Sequence, residues 1–306
     1  MNKQSPDLHS QRLHWLDRPY LLLLLAILFW SGNLVLGRAV RTEIPPIGLA
    51  FWRWLVGSLL VLPLARSHLK PDLPQILRHW KIMTLFAVLG VTMFNTLVYT
   101  GLRSTTAING ALLQTITPLV IVLFSYLLFR EAISTVQIIG ILISLAGVLI
   151  ITMRGEWQTL SQLSLNHGDI WIFIAVIGYA LYVTLQRLRP VIHPLSFMAV
   201  TFVLGTGMIV PFYIWEHING AIVQWNQVTI FSVLYVAIFP SILAYFCYDR
   251  GVLLLGANRA GQFLNLIPLC SSLMAILLLG ETFQVFHGIG MVLILGGIWL
   301  VTQHQF

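Results

Sequence analysis

Uncharged polar residues recur at helical spacing inside the long apolar runs of this chain. Asn258, Gln262 and Asn265 are spaced so that one helix would carry all three on a single face. Amides, hydroxyls and aromatic rings in that pattern suit a small polar or aromatic solute, bound weakly enough to be released. The alternative is that they join neighbouring helices, where such hydrogen bonds average about 0.6 kcal/mol.

Residues of the same kind occur in several other apolar runs. Gln114 shares a helical face with Thr106, Gly110 and Thr117, and Tyr179, Tyr182 and Tyr245 lie in later runs. A shared wet cavity explains these faces together better than separate interhelical contacts do. The candidate binding residues are Trp30, Asn33, Asn95, Tyr99, Gln114, Tyr179, Tyr182, Tyr245, Asn258, Gln262 and Asn265.

Arg53 is a charged residue well inside an apolar run, roughly 9 Å of helix rise from its start. An arginine at the centre of a bilayer costs about 2.5–3.5 kcal/mol. Arg53 could bind a substrate carboxylate or act in a gate. Alternatively, it could reach to the membrane interface or bind a carbonyl of a kinked helix. Arg38 at the outer end of the first run could form an entrance gate with Arg41 and Glu43, or belong to a solvated rim.

Acidic residues are absent from the middle of the apolar runs as the sequence delimits them. Glu131 and Glu281 fall at helix ends, and Asp169 and Asp249 at the boundaries of runs. Because proton-driven export of cations commonly uses a carboxylate inside the membrane, the sequence disfavours that mechanism. The metalloprotease, nucleophile-elbow and phosphate-loop motifs are also absent, so we expect no catalytic residue, metal or cofactor.

The chain repeats itself at an offset of about 150 residues. Residues 104–131 fall on residues 254–281, so that Pro118 meets Pro268 and Glu131 meets Glu281. Matches of proline, glycine and glutamate at one offset indicate an internal duplication. Each proline removes one helical hydrogen bond. We predict hinges at Pro118 and Pro268, the alternative being ordinary kinks of membrane helices.

The composition is that of an integral membrane protein. The 306 residues are 58% hydrophobic and only 9% charged, against roughly 25% charged in soluble domains. The net charge of +7 reflects basic loops between apolar runs rather than nucleic-acid binding. We predict an all-α polytopic membrane protein, because ten runs approach the length of about 20 residues that spans a bilayer. They are 20–39, 47–65, 81–100, 105–129, 134–153, 168–187, 194–215, 228–248, 257–279 and 284–303.

The distribution of lysine and arginine predicts the orientation of these helices. With a cytoplasmic N-terminus, twelve basic residues fall inside and four, Arg38, Arg41, Arg103 and Arg154, fall outside. Both termini are then cytoplasmic. The predicted units are a cytoplasmic tail (1–19), a five-helix repeat (20–153), a linker (154–167) and a second five-helix repeat (168–303). Because five is odd, the two repeats are inverted relative to each other in a 5+5 arrangement, as in many secondary transporters.

Three motifs carry a resemblance to a known family. Trp30-Ser31-Gly32-Asn33 is similar to a Trp-Gly-Ser-Asn-type opening, with Ser31 in place of the usual glycine, and Phe51-Trp52-Arg53-Trp54 resembles an aromatic–Arg–aromatic element. The stretch from Ala107 through Pro118 to Glu131, with its copy ending at Glu281, resembles the third. Together with the ten runs and the repeat, the chain resembles the EamA branch of the drug/metabolite transporter superfamily over residues 20–303.

The resemblance implies an inner-membrane secondary transporter that moves a small metabolite outward by alternating access around a central cavity. A small neutral or zwitterionic solute such as an amino acid agrees with the aromatic and amide residues above. Alternatives are an exporter of drugs or other metabolites and an intramembrane lipid-modifying enzyme, whose motifs are missing. The expected partners are the solute and the lipid bilayer. The sequence is compatible with a homodimer but contains nothing that requires one.

Overall fold

The computed structural model describes residues 17–39, 43–105, 107–156, 166–279 and 282–303. Across these ranges the chain is built from helices joined by short connections, without strands. The predicted tail and linker lie largely outside the described residues. The helices are α1 (Pro19–Ala39), α2 (Pro46–Arg78), α3 (Trp80–Gly101), α4 (Ala107–Thr115 and Thr117–Phe129), α5 (Thr135–Thr152), α6 (His167–Leu188), α7 (Pro194–Ile218), α8 (Gln227–Leu255), α9 (Ala257–Gln262, Phe263–Asn265 and Leu266–Leu279) and α10 (Val285–Gln303).

Eight helices in the described part of the chain are long and apolar enough to cross a bilayer. They are α2 to α8 and α10, with α4 counted from Gly110 to Phe129. Helix α1 is apolar over the shorter stretch Pro19–Asn33, and α9 is interrupted by a 3₁₀ turn at Phe263–Asn265. The protein is therefore an all-helical polytopic membrane protein.

Two helices extend beyond their predicted ends. Helix α2 continues to Arg78 although Pro71 and Pro74 lie in this part of the sequence. The two prolines free carbonyls of the exposed residues Ser67 and Lys70, which water can satisfy. Helix α8 continues to Leu255, so Asp249 lies inside a helix and not at its boundary.

Helices α3 and α8 each contain one π-helical turn, at equivalent positions of the sequence repeat. The turns are Val88–Met93 and Ile238–Leu243, which are 150 residues apart. Pro240 has no N–H to donate to the carbonyl of Val236, and the hydroxyl of Ser241 donates to that carbonyl instead at 2.7 Å. The sequence analysis did not predict these turns, which occur frequently at functional sites.

Helices α4 and α9 are interrupted next to the two repeated prolines. In α4 the break falls at Ile116, and Pro118 lies in the first turn of the following segment, where its missing N–H is not needed. The hydroxyl of Thr117 donates to the freed carbonyl of Gln114 at 2.6 Å. In α9 a 3₁₀ turn precedes the segment Leu266–Leu279, which contains Pro268 in its first turn.

Helices α5 and α10 approach each other through glycines. A Cβ atom on Gly140 would lie 2.7 Å from the carbonyl oxygen of Gly297, and one on Gly147 would lie 2.7 Å from that of Gly290. From the first contact to the second, the residue number increases along α5 and decreases along α10. The two helices are therefore antiparallel. Only glycine permits this backbone separation.

Ion pairs identify the two faces of the helix bundle. Arg250 near the end of α8 pairs with Asp17 before α1 at 3.1 Å, and Arg187 near the end of α6 pairs with Glu131 after α4 at 3.0 Å. We call this side, where α1 begins, the N-terminal face. The other side, where α2 begins and α7 ends, is the opposite face.

Candidate functional site

Five aromatic residues from α1, α6 and α8 form the central aromatic cluster: Trp30, Tyr179, Tyr182, Tyr245 and Tyr248. The Trp30 ring lies 5.0 Å from that of Tyr248, 5.9 Å from Tyr245 and 6.3 Å from Tyr179. The four tyrosines are each at most 5% exposed. The structure thus brings four of the predicted binding residues together, and Tyr248 adds a fifth aromatic ring.

The π turns supply hydrogen-bond acceptors to this cluster. The Trp30 indole N–H donates to the carbonyl of Pro240 at 2.9 Å, and the Tyr245 hydroxyl donates to the carbonyl of Gly90 at 2.6 Å. Gly90 and Pro240 occupy equivalent positions of the repeat. The two irregular turns therefore fix the orientation of two of the central rings.

Arg53 is buried beside the cluster and touches the second π turn. Its guanidinium donates to the Ser241 hydroxyl at 2.5 Å and to the Pro240 carbonyl at 3.0 Å, with a long contact of 3.5 Å to the Asn95 carbonyl oxygen. The side chain is 2% exposed and lies over the Trp54 ring, 4.9 Å from its centroid. Within the described residues it forms no ion pair, so its charge is balanced only by neutral dipoles. Because Arg53 is buried, its side chain does not reach the membrane interface. The other alternative, a hydrogen bond to the carbonyl of an interrupted helix, is observed.

Several buried polar atoms of α2, α3, α8 and α9 have no hydrogen-bond partner among the described residues. They are the side-chain nitrogen of Asn95, the indole nitrogen of Trp54, the hydroxyl of Tyr248, the carbonyl oxygen of Asn258 and both amide atoms of Gln262. Gln262 is 0% exposed. Because buried polar groups are usually satisfied, these atoms retain capacity to bind a polar solute or water.

Other predicted residues make contacts elsewhere. Asn265 in α9 donates to the Ser144 hydroxyl in α5 at 2.9 Å, which is the interhelical alternative. Gln114 donates to the carbonyl of Gly110 in its own helix at 3.3 Å. Asn33 and Tyr99 are half-buried. Arg38 belongs to the end of α1, and its side chain lies outside the described residues, as do Arg41 and Glu281.

Asp249 lies inside α8, six residues before its end, and not at the boundary where the sequence analysis placed it. It is 3% exposed inside α8. Both carboxylate oxygens accept from the Tyr182 hydroxyl, at 3.0 and 2.9 Å, and one also accepts from the Gln186 amide at 3.1 Å. A buried acid is therefore bonded directly to a residue of the central aromatic cluster. The sequence argument that disfavoured proton-driven transport, which rested on the lack of such a carboxylate, therefore does not apply.

Glu216, which the sequence analysis did not consider, joins three helices at the opposite face. Its carboxylate at the end of α7 accepts the backbone N–H groups of Gly48 at 2.6 Å and Ile47 at 3.3 Å, and also pairs with Arg103 after α3. Glu216 is 1% exposed and satisfies N–H groups at the start of α2, where a negative charge is favourable. One side chain thus joins α2, α3 and α7.

We expect Glu216→Gln to lower the free energy of unfolding by about 1–3 kcal/mol. Glutamine has one acceptor oxygen, so one of the two N–H groups of α2 would face an amide donor without a bond. Thermal unfolding of the purified protein measures the effect. Glu156→Gln, at an exposed position on the same face, is the control. Equal melting temperatures of the two variants would contradict this account of Glu216.

Comparison with known proteins agrees with this architecture. The sequence profile of the "EamA-like transporter family" matches the chain twice, over residues 17–153 and 166–303. The Bacillus subtilis (strain 168) protein named "Uncharacterized transporter YyaM" is 25% identical over 91% of this chain and 92% of its own length. A WAT1-related chloroplastic protein of Arabidopsis thaliana is 25% identical over 89% of this chain and 66% of its own.

A solved crystal structure shares the fold. It matches with a TM-score of 0.75 and 18% sequence identity, covering 93% of this chain and 97% of that chain. The fold and the family matches define a multi-pass membrane transporter. The chain belongs to the EamA-like transporter family. The names of the family and of the Bacillus subtilis relative are those of transporters, not enzymes.

Proposed function

We propose that the protein is a secondary transporter with ten spans in two inverted five-helix repeats, working by alternating access. The repeated features of the fold support this arrangement. The π turns share an offset of 150 residues, and the equivalent helices α5 and α10 are antiparallel. In α2 and α7 the hydroxyls of Ser58 and Thr206, 148 residues apart, lie within 3.3 Å of each other. A two-fold axis in the membrane plane relates halves in this way.

The solute we propose is a small zwitterion, an amino acid with an apolar or aromatic side chain. The observation that carries this proposal is Arg53, a buried guanidinium whose described partners are all neutral. A carboxylate would neutralise it and form charge-assisted hydrogen bonds. The adjacent central aromatic cluster suits an apolar side chain, and the unpaired hydroxyl of Tyr248 in that cluster can accept a hydrogen bond from an ammonium group.

We further propose export across the cell inner membrane, with both termini cytoplasmic. The excess of basic residues on the predicted inner side supports this orientation. Gly297 near the end of α10 meets Gly140 near the start of α5, which supports both termini lying toward the N-terminal face. The direction of net flux follows the prevailing gradient, because a ligand-driven conformational equilibrium has no intrinsic direction.

A matched set of solutes tests this function. L-Phenylalanine should raise the melting temperature of the purified protein, since a ligand that binds only the folded state stabilises it by about 2.7 kcal/mol at a hundred times its Kd. β-Phenylethylamine has the same ring and amine without the carboxylate, and should have a much smaller effect. Labelled L-phenylalanine should then exchange into proteoliposomes that contain unlabelled L-phenylalanine. Equal stabilisation by both compounds, or no exchange, would reject the proposal.

We also propose that the breaks at Pro118 and Pro268 act as hinges. Thr117 compensates for the bond that Pro118 removes in the first break, so α4 can bend there without losing a buried hydrogen bond. We expect Pro118→Ala and Pro268→Ala to slow L-phenylalanine exchange more than they lower the melting temperature. Pro63→Ala, at an exposed position inside α2, is the control. Parallel losses of rate and stability in both variants would indicate ordinary kinks.

A further inference from the structure

A carboxylate that the sequence had placed at a helix boundary lies in contact with the centre of the protein. Asp249 is buried in α8 and accepts hydrogen bonds only from neutral groups, those of Tyr182 and Gln186. Within the described residues it forms no ion pair. Arg189 attracts this carboxylate without a direct ion pair. A buried carboxylate inside a membrane protein is costly and is by default a functional group.

The carboxylate lies beside a small pocket on the side of the N-terminal face. Asp249, Arg189 and Arg250 are among the residues that line it. Arg250 is paired with Asp17 at 3.1 Å, and the Arg189 guanidinium lies over the Phe197 ring, 3.9 Å from its centroid. A proton exchanging with the N-terminal face would reach Asp249 through this pocket, whose positive charges are held in place.

Tyr182 connects Asp249 to the π turn of α3. Its hydroxyl holds the carboxylate, and its ring stacks on Tyr179 at 5.8 Å. A Cβ atom at Gly90 would lie 2.5 Å from the Tyr182 ring, so the ring lies directly against that turn. A change of charge at Asp249 would change the strength of its hydrogen bond with Tyr182. The packing of the central aromatic cluster would change with it.

We propose that Asp249 is the proton-binding site that couples solute transport to proton movement. This inference rests on the proposed transport function and assigns its coupling ion. A proton on one carboxylate oxygen removes its charge, and in the described conformation this proton exchanges with the N-terminal face through the pocket. The charge-assisted bond from Tyr182 becomes an ordinary one, which frees the ring to move away from the α3 turn. Loss of the proton restores the contact.

Other titratable and charged groups surround this site. Helix α6 and the connection after it contribute Tyr179, Tyr182 and Arg189. Helix α8 contributes Tyr245, Tyr248 and Arg250, and the chain before α1 contributes Asp17. His193 faces Arg189 at the start of α7. Burial, followed by the neighbouring His68, lowers the pKa of His193, while Asp72 opposes the shift. The test must therefore distinguish a carboxyl group from a histidine.

Infrared spectroscopy of the purified full-length protein makes that distinction without any solute. Wild type should show the carbonyl stretch of a buried protonated carboxylic acid at acidic pH, and Asp249→Asn should lack it. Glu131→Gln, which removes an exposed carboxylate on the same face, should leave the band unchanged. In Tyr182→Phe, which keeps the ring but removes a donor to the carboxylate, the band should persist to higher pH. A band that is the same in Asp249→Asn and wild type would overturn the proposal.

Transport of L-phenylalanine in proteoliposomes supplies the functional readout. Asp249→Asn should retain exchange of labelled for unlabelled solute, because exchange needs no net proton movement. It should lose the accumulation that an imposed pH gradient drives in wild type and in Glu131→Gln. Accumulation equal to that of wild type would refute the coupling role. Absence of exchange in wild type would instead refute the proposed function, and the infrared result would still decide whether Asp249 binds a proton.

Discussion

Arg53→Gln is expected to weaken binding of L-phenylalanine by about 10- to 100-fold in Kd. Hydrogen bonds to charged groups contribute about 1.5–3 kcal/mol each, and every 1.4 kcal/mol is a factor of ten in Kd. Glutamine can still donate to the Pro240 carbonyl or the Ser241 hydroxyl, but it has no charge for a carboxylate. The preference for L-phenylalanine over β-phenylethylamine should therefore disappear together with the affinity.

The melting temperature separates this role from a purely structural one. Removing the charge also removes its desolvation cost, which is several kcal/mol for a buried ion, so Arg53→Gln should remain at least as stable as wild type without solute. Arg53→Lys keeps the charge and should retain part of the affinity. Arg66→Gln, at an exposed position of the same helix, should change neither property. If Arg53→Gln instead has a lower melting temperature than wild type and retains its preference for the amino acid, the role of Arg53 is only to bond α2 to the π turn of α8.

The sequence was informative wherever the local pattern decides the structure. Arg53 stood out because a charge inside an apolar run is expensive regardless of its neighbours. Pro118 and Pro268 marked the interruptions of α4 and α9, since a proline cannot donate a helical hydrogen bond in any context. Trp30 and Tyr245 were predicted to share one site because both are aromatic residues inside apolar runs.

Contacts between distant helices could not be predicted in the same way. The acceptors of Arg53 lie 187 and 188 residues away in sequence, and no local pattern pairs them. Asn265 shows the converse case, because a polar residue on the predicted face bonds to Ser144 of another helix. Helical spacing shows which residues share a face, but not what that face contacts.

Two further features were outside the reach of local patterns. The π turns of α3 and α8 lie at the offset of the repeat, but Gly90 and Pro240 are different residue types, so the repeated sequence does not predict these turns. Asp249 was misplaced because the eighth run was ended at residue 248, whereas the helix continues to Leu255. Asp249 and Arg250 shortened the apparent apolar run, although Asp249 is buried against Tyr182 and Gln186 of α6.

Gly297→Ala is expected to be the most destabilising small substitution at the contact between the two repeats. A Cβ atom there would collide with the carbonyl oxygen of Gly140 and would lie 2.6 Å from the backbone nitrogen of Ser144. These are backbone atoms of α5, so no side-chain rotation relieves the overlap and the helices must separate. Overpacking of this kind costs about 1–3 kcal/mol.

The adjacent glycine provides the matched control. A Cβ atom on Gly296 would meet nothing within 4 Å, and alanine is favoured over glycine in a helix by about 0.5–1 kcal/mol. Gly296→Ala should therefore keep or raise the melting temperature that Gly297→Ala lowers, and Gly147→Ala on α5 should resemble Gly297→Ala. Because α5 and α10 are equivalent helices of the two repeats, equal effects of Gly296→Ala and Gly297→Ala would mean that the repeats do not meet along this glycine contact. The antiparallel pairing that supports the inverted arrangement would then be lost.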